Sequence, residues 1–204
     1  MKEGIKAVVF DVNGVLLLGS GISFHKLVSK KLKVDLETWF DAVDQYWSKF
    51  ISGELSEKIF LSKLSLALNK SESKIKRVIS NSFNKKFKPN KWLFKQLVVL
   101  NSLGYKTGIL SDQVPISYEL FEKKYRLSSK VLVSVWSNKV KSRKPNLEIY
   151  NICLEKLNVK ASEVLFIDNR SWNLIPAEEL GMKTILFKNN LRLKKDRTWR
   201  NLFI

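Results

Sequence analysis

One cysteine, one histidine and 19 acidic residues against 37 Lys+Arg are the scarcities of this 204-residue chain. Cys153 alone cannot form an internal disulfide, which points to a reducing compartment. His25 alone excludes multi-histidine zinc sites, and a His-based triad would have to rest on that single ring. Chemistry must therefore lean on carboxylates, hydroxyls and lysines. No segment approaches the roughly 18 consecutive apolar residues needed to cross a bilayer. The first residues look superficially like a signal peptide, with two lysines before AVVFDVNGVLLL. Asp11 and Asn13 interrupt that run, however, and no small-residue cleavage site follows cleanly. The expectation is a soluble, cytoplasmic protein.

At 45% hydrophobic residues the chain can bury a sizeable core, so wholesale disorder is excluded. The shortage of acid leaves a formal net charge of +18. A surface so basic points to an anionic partner: a phosphorylated metabolite, a nucleic acid or an acidic membrane. A Lys-rich background that merely keeps the protein soluble accounts for the same number.

Five short apolar runs read as buried strands: Ala7–Phe10, Thr107–Leu110, Val131–Val135, Val164–Ile167 and Thr184–Phe187. None alternates with polar residues, the mark of a parallel sheet covered on both faces. Helical patterns over Trp92–Leu103, Asn146–Leu157 and Leu174–Leu180 separate the later runs, and Gly104 and Gly181 stop the first and last. The alternation predicts a doubly wound, five-stranded α/β sheet of Rossmann-like type. About ninety-five residues lie between the first two strands, far more than one crossover needs. They read as helices capped by Asp35, Ser56 and Ser71, with apolar stripes through Trp39, Val43 and Phe50, through Phe60 and Leu64, and through Ile75, Ile79 and Phe83. Residues 20–89 are thus expected to be a helical cap inserted into a core built from 1–19 and 90–204. The aromatic stripes read as cap core, and the basic tail after Phe187 as a partly mobile segment.

Ligands of open α/β sheets bind beyond the carboxyl ends of the strands. There the sequence places Asp11 (VVFDVNGVL), Ser111 (GILSDQ), Lys144 (KSRKPNLEIY) and Asp168 (VLFIDNRSWN). A carboxylate, a hydroxyl, an ammonium and a second carboxylate would converge on one crevice. That order resembles the haloacid dehalogenase (HAD) superfamily over nearly the whole chain, and the inserted helices resemble its small helical cap. The resemblance implies a nucleophilic Asp11, a Ser111 that donates to a phosphoryl oxygen, a Lys144 (followed by Pro145) that offsets its charge, and an acidic motif at Asp168, Asn169 and Asn173. It implies an aspartyl-phosphate on Asp11 and Mg²⁺ held by Asp11, the carbonyl of Asn13, Asp168 and Asn169 in an oxygen cage. Main-chain N–H groups of Val12, Asn13 and Gly14 would cradle the phosphate, with Ser111, Asp112 and Lys144 beside it.

Two positions depart from that family's phosphatases. Asn13 stands where they usually carry a general acid/base Asp, and an amide cannot shuttle a proton. Asn169 stands where many carry a second Asp. Asp112 either caps a turn or supplies the missing acid. Three functions follow: a Mg²⁺-dependent phosphatase of a small phosphorylated metabolite, slowed by Asn13; a non-catalytic binder of a phosphorylated ligand or of nucleic acid; or a metal-independent 2-haloacid dehalogenase, for which Arg77 is the only cap arginine. Lys26, Lys30 and Lys49 are substrate-contact candidates only in that they lie in the cap, and His25 reads as a surface or helix-start residue. The run Lys139–Lys144 would put part of the positive charge at the mouth of an anion site, without the aromatic interleaving that reads single strands.

Overall fold

The computed structural model describes residues 4–204. Strand β1 (Ala7–Phe10) leads through a tight turn to the two-residue strand β2 (Leu17–Leu18). Four helices follow: α1 (Gly21–Leu32), α2 (Leu36–Ile51), α3 (Glu57–Leu68) and α4 (Glu72–Lys86). After β3 (Lys88–Pro89) the chain runs α5 (Lys91–Ser102), β4 (Lys106–Ser111), α6 (Pro115–Tyr125), β5 (Val133–Trp136), α7 (Ser137–Val140) and α8 (Leu147–Leu157). It then forms β6 (Val164–Asp168), α9 (Ser171–Glu179), β7 (Lys183–Leu186), α10 (Asn190–Lys195) and α11 (Arg197–Arg200).

The main sheet has the order β5-β4-β1-β6-β7, and every pair in it is parallel. β1 lies at its centre. Successive side chains of a strand point to opposite faces, so Val8 and Phe10 join one apolar core, and Ala7 and Val9 join the other. This is the two-faced burial that the unbroken apolar runs predict.

β2 and β3 pair antiparallel, Leu17 with Pro89 and Leu18 with Lys88. The two legs of the helical insertion thus leave the sheet as one ribbon. Asp35 caps α2 by accepting from the Thr38 N–H at 2.7 Å, and Ser56 caps α3 through Ile59 N at 3.3 Å. Ser71 occupies the corresponding place on α4 but makes no side-chain cap bond, because its hydroxyl faces that of Ser73 instead. The insertion also holds a helix that the sequence reading lacks. Phe24, Val28 and Leu32 of α1 are buried along one stripe, and Phe24 stacks on Phe83 at 4.0 Å.

The tail is the second correction. α10 and α11 bury Leu193, Trp199 and, just beyond, Leu202. Trp199 meets Phe10 of the central strand edge-on at 6.3 Å, and the Tyr105 hydroxyl donates to the Leu202 carbonyl at 3.0 Å. Five basic residues between Leu191 and Arg200 mask three apolar anchors that hold the segment down. Among the described residues, no helix is long and apolar enough to cross a membrane.

Candidate active site

Strands β4, β1 and β6 are neighbours, so Ser111, Asp11 and Asp168 leave the sheet side by side. The Asp11 N–H continues the ladder onto the Ile167 carbonyl at 2.9 Å, which sets where its side chain starts. Lys144 arrives from the far side of β5 and is 1% exposed. Its ammonium donates to Asp11 Oδ1 at 2.8 Å, to Asp168 Oδ2 at 2.7 Å and to the Leu110 carbonyl at 3.0 Å. An ammonium has three N–H bonds, so all of them are taken. Lys144 therefore has no N–H left over for a ligand. A direct bond to a phosphoryl oxygen, as the resemblance implies, would require one of these three to open.

Ser111 donates to Asp11 Oδ1 at 3.0 Å rather than to open space. Behind it stands Gln113, which the sequence reading did not single out. Gln113 Nε2 donates to the Ser111 hydroxyl at 3.2 Å, and its Oε1 accepts from Ser117 at 2.6 Å. The buried relay Ser117–Gln113–Ser111–Asp11 orients the hydroxyl toward the carboxylate. No sequence signal marks Gln113, although its partners Ser111 and Ser117 lie only two and four positions away, because residue type does not show which way an amide in a strand-to-helix turn points. The result is an asymmetric carboxylate: Asp11 Oδ1 accepts two hydrogen bonds, whereas Oδ2 accepts none among the described residues.

Burial pushes the Asp11 carboxyl up to about 6, against the lowering pull of Lys144 and with Asp168 adding to the rise. For Lys144 burial works to lower the pKa, but the attraction of Asp11, Asp168 and Asp112 wins and raises it, so the ammonium stays charged. Asp112 is raised, mainly by burial. Its Oδ1 accepts the main-chain N–H of Lys144 at 3.0 Å. Asp112 thus pins the loop that carries the lysine instead of capping a turn.

Asp168 is fully buried beneath Lys144. Its Oδ2 also accepts from Asn173 Nδ2 at 3.0 Å and its Oδ1 from the Arg170 N–H at 2.8 Å. It does not line the cavity, whereas Asp11, Asn13 and Asn169 do. The side-chain oxygens of Asn13 and Asn169 are buried without a hydrogen-bond partner. Orphaned oxygens of this kind call for a proton donor or a cation. Gly14 lies against Asn169 with φ +101°, and a Cβ there would sit 2.3 Å from Asn169 Nδ2. Only glycine lets the turn approach so closely. The expected main-chain cradle is smaller than the sequence implies. The Gly14 N–H donates to the Leu17 carbonyl at 2.7 Å as the turn closes on β2, leaving the N–H groups of Val12 and Asn13.

The cavity over Asp11 measures about 120 Å³. Its roof comes from the insertion, through Phe24, His25, Trp47, Ile51, Phe83 and Phe87. Lys26, Lys30 and Lys49 are exposed and line no part of it, and Arg77 lies on the exposed face of α4. His25 is no surface residue: it is half-buried in the second turn of α1 and faces this cavity. Of the Lys139–Lys144 run, Arg143 and Lys144 reach the wall, while Lys139 lies over the Tyr118 ring at 4.5 Å. Roof and floor are tied where Ser137 bonds both the Ile51 carbonyl, at 2.5 Å, and the Gln113 N–H, at 3.0 Å.

A parallel α/β sheet with a buried carboxylate–ammonium–carboxylate set under an inserted helical roof puts a ligand crevice at the strand ends. The model of the haloacid dehalogenase-like hydrolase family matches residues 8–187, and the chain belongs to that family. It is 27% identical to a glyceraldehyde 3-phosphate phosphatase of Methanocaldococcus jannaschii, over 89% of this chain and 84% of that protein. A protein of the same name from Pyrococcus abyssi is 33% identical, over 46% of this chain and 40% of that one. A HAD family enzyme from Bacteroides thetaiotaomicron, solved in complex with magnesium and inorganic phosphate, superposes with a TM-score of 0.78 at 21% identity. That match covers 92% of this chain and 96% of the other.

Proposed function

We propose that the protein is a Mg²⁺-dependent phosphatase of a small phosphomonoester, with Asp11 as nucleophile. The observation that carries this reading is the asymmetry of Asp11: Oδ1 is clamped by Lys144 and Ser111, and Oδ2 is left for the cavity. In the reaction Oδ2 attacks phosphorus in line. The bond from phosphorus to the ester oxygen breaks, its electron pair leaves with that oxygen, and an aspartyl-phosphate remains. Water then cleaves the acyl phosphate, releasing inorganic phosphate and restoring the Asp11 carboxylate. Lys144 keeps Asp11 ionised and aimed, and Asp168 and Asn173 hold Lys144 in turn.

Mg²⁺ fits the donors present. The unpartnered oxygens of Asn13 and Asn169 are hard oxygen donors on one cavity wall beside the Asp11 carboxylate, with the charge of Asp168 in the layer below. When bound, the ion would neutralise charge on the phosphoryl oxygens. Two relatives are named as phosphatases and one structural neighbour carries magnesium and phosphate, which supports the same reading. The dehalogenase alternative loses its support because Arg77 lies away from the cavity.

The test is hydrolysis of a panel of phosphomonoesters with and without Mg²⁺. Metal-dependent release of phosphate supports the reading, and no release from any ester overturns it. Asn13→Asp then restores a group able to move a proton. A gain of about tenfold or more in turnover is expected, within the 10²–10⁴ that general acid/base catalysis typically supplies.

A further inference from the structure

His25 is the one histidine of the chain, and the structure builds a cage around it. Phe24 and Trp47 meet its ring edge-on at 5.0 and 5.4 Å, and Phe40 lies at 5.1 Å. The Trp39 indole N–H donates to Nδ1 at 2.9 Å. An indole can only donate, so Nδ1 must be the bare nitrogen and the neutral ring carries its proton on Nε2. That Nε2–H has no partner among the described residues, and His25 lines the cavity above Asp11. The ring is thus a donor held in one orientation by four aromatic neighbours.

The rest of the roof is Phe24, Trp47, Ile51, Phe83 and Phe87, with no charged side chain and no side-chain acceptor. A polyhydroxylated leaving group would turn several O–H donors toward ring edges that cannot accept them. A flat apolar group with an acceptor in reach of the His25 Nε2–H and the Trp47 indole N–H matches this roof, while Asp112, Gln113, Arg143 and Arg170 line the core side of the cavity, where the phosphoryl group would sit. Size agrees: about 120 Å³ is well below the roughly 300–1,000 Å³ of drug-sized ligand sites, so a one-ring ester fits better than a nucleotide. The floor makes an independent demand. Asn13 cannot protonate the departing oxygen, so esters whose alcohol leaves readily as an anion, as a phenol does, react best.

We infer that the substrate is a compact aryl phosphomonoester bearing one carbonyl-type acceptor, and that His25 selects it by donating from Nε2 to that acceptor. The inference rests on the phosphatase reading of the same cavity, but it can fail separately. Calorimetry with two non-hydrolysable probes, benzylphosphonate and 4-acetylbenzylphosphonate, in the presence of Mg²⁺ isolates binding from turnover. The acetyl probe should bind the wild-type protein about tenfold more tightly, one satisfied hydrogen bond at a buried site. His25→Phe should abolish that ratio while leaving benzylphosphonate affinity within twofold. His25→Gln, which can accept from Trp39 and still donate, should restore part of it, and also reads the contact if His25→Phe does not fold. Equal affinity for both probes in the wild type, or a ratio unchanged in His25→Phe and His25→Gln, overturns the inference. A preference for glycerol or sorbitol phosphates over aryl phosphates in turnover overturns it as well and leaves the phosphatase reading standing. Selective binding without hydrolysis of any ester overturns only the phosphatase reading.

Discussion

At the floor of the cavity, Asp11, Lys144, Asp168, Ser111 and Gln113 hold one another through hydrogen bonds of 2.7–3.2 Å that leave Asp11 Oδ2 open. At the roof, Phe83 packs on both Phe24 and Phe87, and the His25 Nε2–H lies beside Trp47 with no partner among the described residues. The two surfaces face the same few water-sized positions. Their contrast separates two tasks. A buried charge network holds the Asp11 carboxylate in one orientation, whereas an aromatic wall discriminates by what it leaves unsatisfied. The floor is set by strand order and the roof by helix packing, with Ser137 bonded to both.

That division can be broken from either side. The largest effect is expected from Asp11→Asn, which removes the attacking oxygen's charge and should lower turnover at least about 10³-fold while leaving phosphonate binding selectivity intact. A smaller loss, measured against a mock purification, would remove Asp11 from the reaction. Lys144→Met takes the cation from between two buried carboxylates and should cost about 3–5 kcal/mol in denaturant unfolding. Unchanged stability would mean that the floor is wetter than its burial indicates. Gln113→Leu leaves Ser111 free to rotate away from Asp11, and a fall of about tenfold in kcat with KM nearly unchanged is expected.

The smallest effect belongs to the roof and is read by NMR. Burial holds His25 down at about 4, Asp44 opposing the shift and Arg170 adding to it. Being the only histidine, it gives a unique ring signal, which should stay flat between pH 8 and pH 5. In the unfolded chain the ring titrates near 6.5. The unfolded state therefore takes up a proton that the native state refuses, and native stability falls as the pH drops from about 6.5 toward 4. His25→Gln should remove that limb of the stability curve. A midpoint near 6.5 in the native protein would show that water reaches the ring freely.

Legibility differed in the same way. Asp11, Ser111 and Asp168 stand out because each ends an unbroken apolar run, and strand ends of a parallel sheet are where ligands bind. Lys144 carries no such mark, and only the resemblance lifted it out of a lysine-rich chain. The stripes of α2 and α4 were readable as packing faces, yet periodicity cannot tell which of Trp47, Ile51 or Phe83 also borders a cavity. Trp199 shows the converse: basic neighbours hide an anchor whose partner, Phe10, lies 189 positions away in the chain.

By itself the sequence determined the alternation of buried strands and helices, the inserted helical segment and the carboxylates at the strand ends. These follow from local pattern: apolar runs, caps and turns act over a few residues. Tertiary structure alone decided that Ser111 meets Asp11, that Lys144 is fully engaged by its three acceptors, and that the single histidine lines the cavity over Asp11 with its Nδ1 taken by Trp39. Each of those depends on groups brought together across the fold, where distance and burial, not residue type, determine what a side chain can do.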